Sequence, residues 1–106
     1  MKTIKNNKEI QYIYKNGQRI NFPFLTVILL EENSEEIEGN VAFIAGKKHG
    51  NSVWRNKSKR ILREVYKKIK IKNKILLIAN KKTQDYKIEE MVDIIKRKLK
   101  EYDKEN

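Results

Sequence analysis

Three arginines, Arg55, Arg60 and Arg63, fall within nine residues of a chain that has only five. Guanidinium groups contact phosphate in bidentate fashion and stack on bases. The first chemistry on offer is therefore recognition of a polyanion. Lys47, Lys48, Lys57, Lys59, Lys67, Lys68, Lys70, Lys72 and Lys74 surround them, so residues 47–74 hold twelve basic side chains against one acid, Glu64. That segment carries +11, the formal net charge of the whole 106-residue chain, and the remaining basic and acidic residues cancel. Charge focused in this way points to nucleic acid. A coding bias toward Lys, Asn and Ile would spread charge without purpose, but it would not gather three of five arginines.

Other chemistries find little support. His49 is the only histidine and has no identifiable Ser or Cys partner for a nucleophilic triad, so it reads as a surface or packing residue. Without cysteine there is no disulfide framework, no thiolate nucleophile and no Cys-based zinc site. Glu31, Glu32, Glu35, Glu36 and Glu38 crowd one segment, which reads as a solvated acidic loop rather than a metal site. Gly46 and Gly50 match no phosphate-loop pattern and suit a tight strand-to-helix turn. The sequence offers no catalytic residue and no metal site of its own. It has no apolar run near the ~18 residues of a membrane span, and Met1–Lys8 has no apolar signal core. A cytoplasmic protein without a membrane partner is expected.

The basic segment must be held by regular elements. At 100° per residue over 52–69, Trp54, Ile61, Leu62, Val65, Tyr66 and Ile69 share one arc. Arg55, Asn56, Lys59, Arg60, Arg63 and Lys67 share another. A helix is predicted with an apolar face for a sheet, a cationic face for a partner, and Asn51 or Ser52 as N-cap. Such a face without interleaved acids repels itself, a cost that favours a functional role. Residues 7–16 predict a first helix, capped by Asn6 or Asn7 and stopped by Gly17. Residues 86–102 predict a last one, with Ile88, Met91, Val92, Ile95, Leu99 and Tyr102 on its apolar stripe.

Strands are predicted at Phe22–Leu30, Val41–Ala45 and Ile75–Ala79, the first two paired as a hairpin, with room for a short extra strand near Arg19–Ile20. The fold class is α+β: one domain over residues 1–106, an α-β sandwich with a mixed four-stranded sheet and three helices, in the order α-β-β-(β)-α-β-α. Tyr14, Phe22, Phe24 and Phe43 are candidates for an aromatic platform under unpaired bases, although a core role competes strongly at each, and residues such as Phe24 and Phe43 are more often core.

The stretch Gly46-Lys47-Lys48-His49-Gly50-Asn51-Ser52-Val53-Trp54-Arg55-Asn56-Lys57-Ser58-Lys59-Arg60-Ile61-Leu62-Arg63-Glu64 resembles the signature of the bacterial ribonuclease P protein component. Ile10, Ile13, Tyr14 and Gly17 match that family's first helix more loosely, and Leu76–Ala79 followed by Lys81 matches its late strand. Lys57 stands where a second arginine is usual in the motif, and Ser58 where an aliphatic residue is usual.

The resemblance implies an RNA-dependent role. The catalytic RNA removes the 5′ leader of precursor tRNA by magnesium-dependent hydrolysis, the RNA holds most of the magnesium, and the protein alone is inactive. By position, Lys47, Lys48, Asn51, Arg55, Asn56, Lys57, Lys59, Arg60, Arg63 and Lys67 would face RNA, and Tyr14, Phe22 and Thr26 would line a leader cleft. The partners implied are the catalytic RNA and precursor tRNA, with no obligate protein partner. The resemblance also implies a left-handed β-α-β crossover, against the usual hand. A general structured-RNA binder or ribosome-associated protein would account for the charge, but not for the Gly-Asn-x-Val-x-Arg-Asn spacing.

Overall fold

The computed structural model describes residues 2–31, 37 and 39–105, with 102–105 described by their backbone alone. Helix α1 (Asn7–Asn16) begins where Asn6 Oδ1 accepts the Lys8 N–H at 2.8 Å. The chain continues through β1 (Gln18–Asn21), β2 (Leu25–Leu30), β3 (Val41–Ile44), α2 (Ser52–Ile69), β4 (Lys74–Ala79) and α3 (Ile88–Glu105). Short 3₁₀ turns at Lys47–His49 and Thr83–Asp85 lead toward α2 and α3. The predicted boundaries of α1 and α2 match those observed, and α3 starts two residues late.

Gly17 ends α1 for a reason other than the one its residue type suggests. Its backbone is extended, with φ −82°, so left-handed freedom is not used. A Cβ at this position would lie 2.7 Å from the Ile13 carbonyl oxygen and 2.8 Å from that of Leu29. Absence of a side chain lets the chain fold closely from α1 onto the sheet.

The sheet order is β1-β2-β4-β3, which corrects the predicted hairpin of the second and third strands. β4 lies between them, antiparallel to β2 and parallel to β3. Ile75, Leu76 and Leu77 are all fully buried, so this strand is apolar on both faces and belongs at the sheet centre. The hairpin forms between β1 and β2 instead, closed where the Phe22 N–H donates to the Leu25 carbonyl at 2.8 Å. Pro23 lacks an N–H and sits in this turn with Phe24, so β2 starts at Leu25 rather than Phe22. The N-terminal segment also joins the sheet, through a parallel bridge from Thr3 to Val41.

Helices cover the two faces unequally. Leu25, Val27, Leu29, Val41, Ile75 and Leu77 pack with Leu62, Val65 and Ile69 of α2 and Met91, Val92 and Ile95 of α3. On the other face, Ile28, Leu30, Ala42 and Leu76 pack with Ile4 and Ile13. α1 alone cannot span four strands, and beyond it Thr26, Ile44 and Ile78 remain only partly buried. Glu32, Glu35, Glu36 and Glu38 of the acidic segment lie outside the described residues, as does the Tyr102 side chain.

Candidate nucleic-acid interface

α2 is capped as the sequence predicts. Asn51 Oδ1 accepts the Trp54 N–H at 3.0 Å, so Asn51 shapes the helix start while remaining exposed. Gly50 lets the Trp54 ring close over the turn, because a Cβ there would lie 2.7 Å from the indole Cγ. The chain enters the helix from exposed Lys47 and Lys48.

From this start Asn56, Lys57, Lys59, Arg60, Arg63 and Lys67 all face solvent, and Arg55 is half-buried. Among the described residues only Lys67 of this set has an ion-pair partner, Glu64 at 3.5 Å, which makes it the least available of them. Val53, 74% exposed, stands at the head of the same surface. It precedes Lys57 by one helical turn, which puts it on the same side of α2.

Two arginine contacts add detail. The Arg63 guanidinium lies 5.8 Å from the Phe43 ring centroid, and Phe43 meets Tyr66 edge-on at 6.0 Å. Stacking of this kind restricts a long side chain before any ligand arrives. Burial pushes the Tyr66 hydroxyl pKa up from its ordinary value. Arg55 Nε and His49 Nδ1 are enclosed without a hydrogen-bond partner among the described residues. Unpartnered buried polar atoms are uncommon, and these two flank the entry to α2, His49 in the preceding turn and Arg55 in the first turn of the helix.

Ser58, which stands where an aliphatic residue is usual in the motif, is fully buried on the sheet side of α2. Gln84 reaches from the 3₁₀ turn before α3 and donates Nε2 to Ser58 Oγ at 3.0 Å and to the Trp54 carbonyl at 3.1 Å. The turn is itself anchored, since Thr83 Oγ1 donates to the Phe24 carbonyl at 2.6 Å and accepts the Asn80 N–H at 2.9 Å. The departure at Ser58 is thus matched by a polar partner distant in sequence. Gln84→Ala is expected to cost about 1–3 kcal/mol in urea unfolding, by leaving the Ser58 hydroxyl buried and unpaired. Adding Ser58→Ala should restore part of the loss, whereas strictly additive losses would show that the two side chains do not act as a pair.

The open part of the other sheet face supplies a second surface. Ile44, Ile78 and Thr26 lie side by side in register on β3, β4 and β2, and β3 ends there, leading into Lys47 and Lys48. This open patch and the start of α2 therefore share one end of the sheet. Tyr14, 53% exposed, stands over this face from α1. Arg19 of β1 donates Nη1 to the Tyr14 hydroxyl at 3.0 Å, and Thr26 Oγ1 donates to Asn21 Oδ1 at 3.0 Å. Tyr14 and Thr26 are brought together through two residues that the sequence reading did not select.

Phe22 does not join them. It is 9% exposed and stacked on Phe24 at 5.5 Å within the core beneath α2 and α3. Phe43 also packs against that core, so the four aromatics form no common platform. No group of three His, Asp or Glu side chains that could hold a metal is assembled among the described residues. Nor is any described helix long and apolar enough to cross a membrane.

Comparison with known proteins agrees with this geometry. The family model described as Ribonuclease P matches residues 1–103. The ribonuclease P protein component of Alkaliphilus metalliredigens is 33% identical over 104 residues, covering 92% of each chain. That of Natranaerobius thermophilus is 43% identical over 65 residues, spanning 61% of this chain and 55% of the relative. The solved structure of the Staphylococcus aureus RNase P protein superposes with a TM-score of 0.72 at 31% identity, covering 94% of both chains. Motif, sheet order and these likenesses converge, and the chain belongs to the ribonuclease P protein family.

Proposed function

We propose that this chain is the protein subunit of a ribonuclease P holoenzyme in the cytoplasm, where it helps to remove the 5′ leader of precursor tRNA. The observation that carries the reading is the pairing of two surfaces at one end of the sheet. One is the cationic face of α2, whose Arg55, Lys57, Lys59, Arg60 and Arg63 have no acidic partner among the described residues. The other is the open sheet face under Tyr14.

The cationic face suits folded RNA. It is convex and helical, and its groups are those that contact phosphate. The open face suits a single strand, with Ile44 and Ile78 as an apolar floor, Thr26 beside them and Tyr14 as a stacking wall. Adjacent placement lets the protein hold the catalytic RNA and the leader of its substrate at once. Hydrolysis is the work of the RNA and its magnesium ions. The protein's own residues bind and orient, and lower the repulsion between two polyanions brought together.

The purified chain alone is expected to cleave no precursor tRNA. Added to a transcribed bacterial ribonuclease P RNA at low magnesium, it should restore 5′ processing that the RNA performs poorly by itself. Cleavage by the protein after rigorous removal of RNA, or no stimulation of the RNA at any magnesium concentration, would overturn the reading.

A further inference from the structure

The β1 edge of the open face carries a cation that nothing in the family signature points to. Arg19 is exposed, and no carboxylate pairs with it among the described residues. It is nevertheless held in place. Its Nη1 donates to the Tyr14 hydroxyl at 3.0 Å, its Nε donates to Asn21 Oδ1 at 3.3 Å, and its Cζ lies 5.5 Å from the Tyr14 ring centroid. Asn21 Oδ1 also accepts from Thr26 Oγ1, so the guanidinium is tied through Asn21 to the cleft floor.

From this arrangement we propose that Arg19 is a phosphate clamp for the single-stranded leader, fixed beside the base that stacks on Tyr14. The inference rests on the leader-cleft reading above and adds a residue and a chemistry to it. A guanidinium has five N–H donors, and the two contacts described leave Nη2 and one Nη1 hydrogen unassigned. That is the fork a phosphodiester oxygen pair requires. The Tyr14 ring is half-exposed, so a base can stack on it while the neighbouring phosphate meets Arg19. With no acid among the described residues to compete for it, this fork is available to a strand running along β1.

Holding the guanidinium in advance serves a further purpose. A free arginine loses considerable rotamer freedom on binding, whereas one tethered to Tyr14 and Asn21 has already given up much of it. Thr26 and Asn21 therefore orient the clamp, and Tyr14 serves both as stacking surface and as tether.

The test compares full-length protein variants, each reconstituted with a transcribed bacterial ribonuclease P RNA. Affinity is measured for a precursor tRNA with a short single-stranded leader and for the same tRNA without one. Arg19→Gln should lower the leader-dependent gain in affinity about tenfold or more, as expected for one charge-assisted contact. It should also flatten the salt dependence of that gain by about 0.7 in log–log slope, the value for one phosphate of a single strand. Mature tRNA and the catalytic RNA should bind as before. Arg19→Lys, which keeps the charge but loses the fork, should restore the salt slope and only part of the affinity.

An unchanged gain and slope in Arg19→Gln, with Tyr14→Ala still reducing the gain, would remove Arg19 from the contact and leave the cleft in place. Loss of mature-tRNA binding in step with precursor binding would assign Arg19 to the tRNA body and overturn the inference. If neither Arg19→Gln nor Tyr14→Ala alters the gain, the leader lies elsewhere and the cleft reading falls with the clamp.

Discussion

Replacing Arg60 and Arg63 together with alanine is expected to weaken binding of the catalytic RNA by about two orders of magnitude at moderate salt, with the slope of log affinity against log salt falling by about 2. Both arginines lie on the exposed arc of α2, and neither has a carboxylate partner among the described residues. Little is therefore exchanged when they meet phosphate, and the released counterions drive the association. Thermal stability should hold or rise, because the substitution relieves repulsion along the face and removes no buried group. Filter binding across a salt series separates the explanations. Weaker affinity with an unchanged slope would mean that the arginines act through packing, most directly through the stack of Arg63 on Phe43. Lys67→Ala provides an internal comparison. Its ammonium already pairs with Glu64, so its effect should be smaller than that of Arg60→Ala alone.

The largest loss of stability is expected at Phe24. This ring is fully buried between Phe22, at 5.5 Å, and Tyr86, at 5.1 Å, and its carbonyl accepts the Thr83 hydroxyl. It joins the β1–β2 turn to the connection leading into α3, and through Gln84 that connection reaches the start of α2. Phe24→Ala should cost about 3–5 kcal/mol, a large share of the ~5–15 kcal/mol that small domains possess. Urea unfolding and a thermal melt check this, with a midpoint drop on the order of 15 °C. Excess catalytic RNA should recover part of the loss, since it binds the folded form. A change below about 1 kcal/mol would show that the neighbouring rings collapse into the space and that Phe24 is no keystone.

Local rules carried the sequence far. The boundaries of α1 and α2 follow from caps and from i, i+3, i+4 spacing, which act within one or two turns, so Asn6, Asn51 and the apolar arc of α2 could be read directly. The cationic face was legible for the same reason, because a helix turns linear spacing into a surface. Position in the resembling motif added Lys47, Lys48 and Lys57, all of which are exposed.

Strand pairing obeys no such local rule. β2 and β3 looked like hairpin partners because they are neighbours in the chain, yet β4, more than thirty residues later, takes the place between them. Burial on both faces decides that position, and such burial exists only after the sheet has formed. Phe22 illustrates the same limit. One residue beyond β1, it turns into the core while Asn21 faces the open side of the sheet with Thr26, because successive side chains in extended backbone point to opposite sides.

By itself, then, the sequence determined the helices, their polar and apolar faces, the concentration of charge on α2 and the family to which the chain belongs. Tertiary structure alone decided that the open patch of the sheet face lies at the same end of the sheet as the start of α2, that Gln84 answers the buried hydroxyl of Ser58, and that Arg19 stands beside Tyr14. The division has a physical cause. Helical order is set by neighbours a few residues apart, whereas a sheet joins residues that nothing but the closing of the core brings within reach.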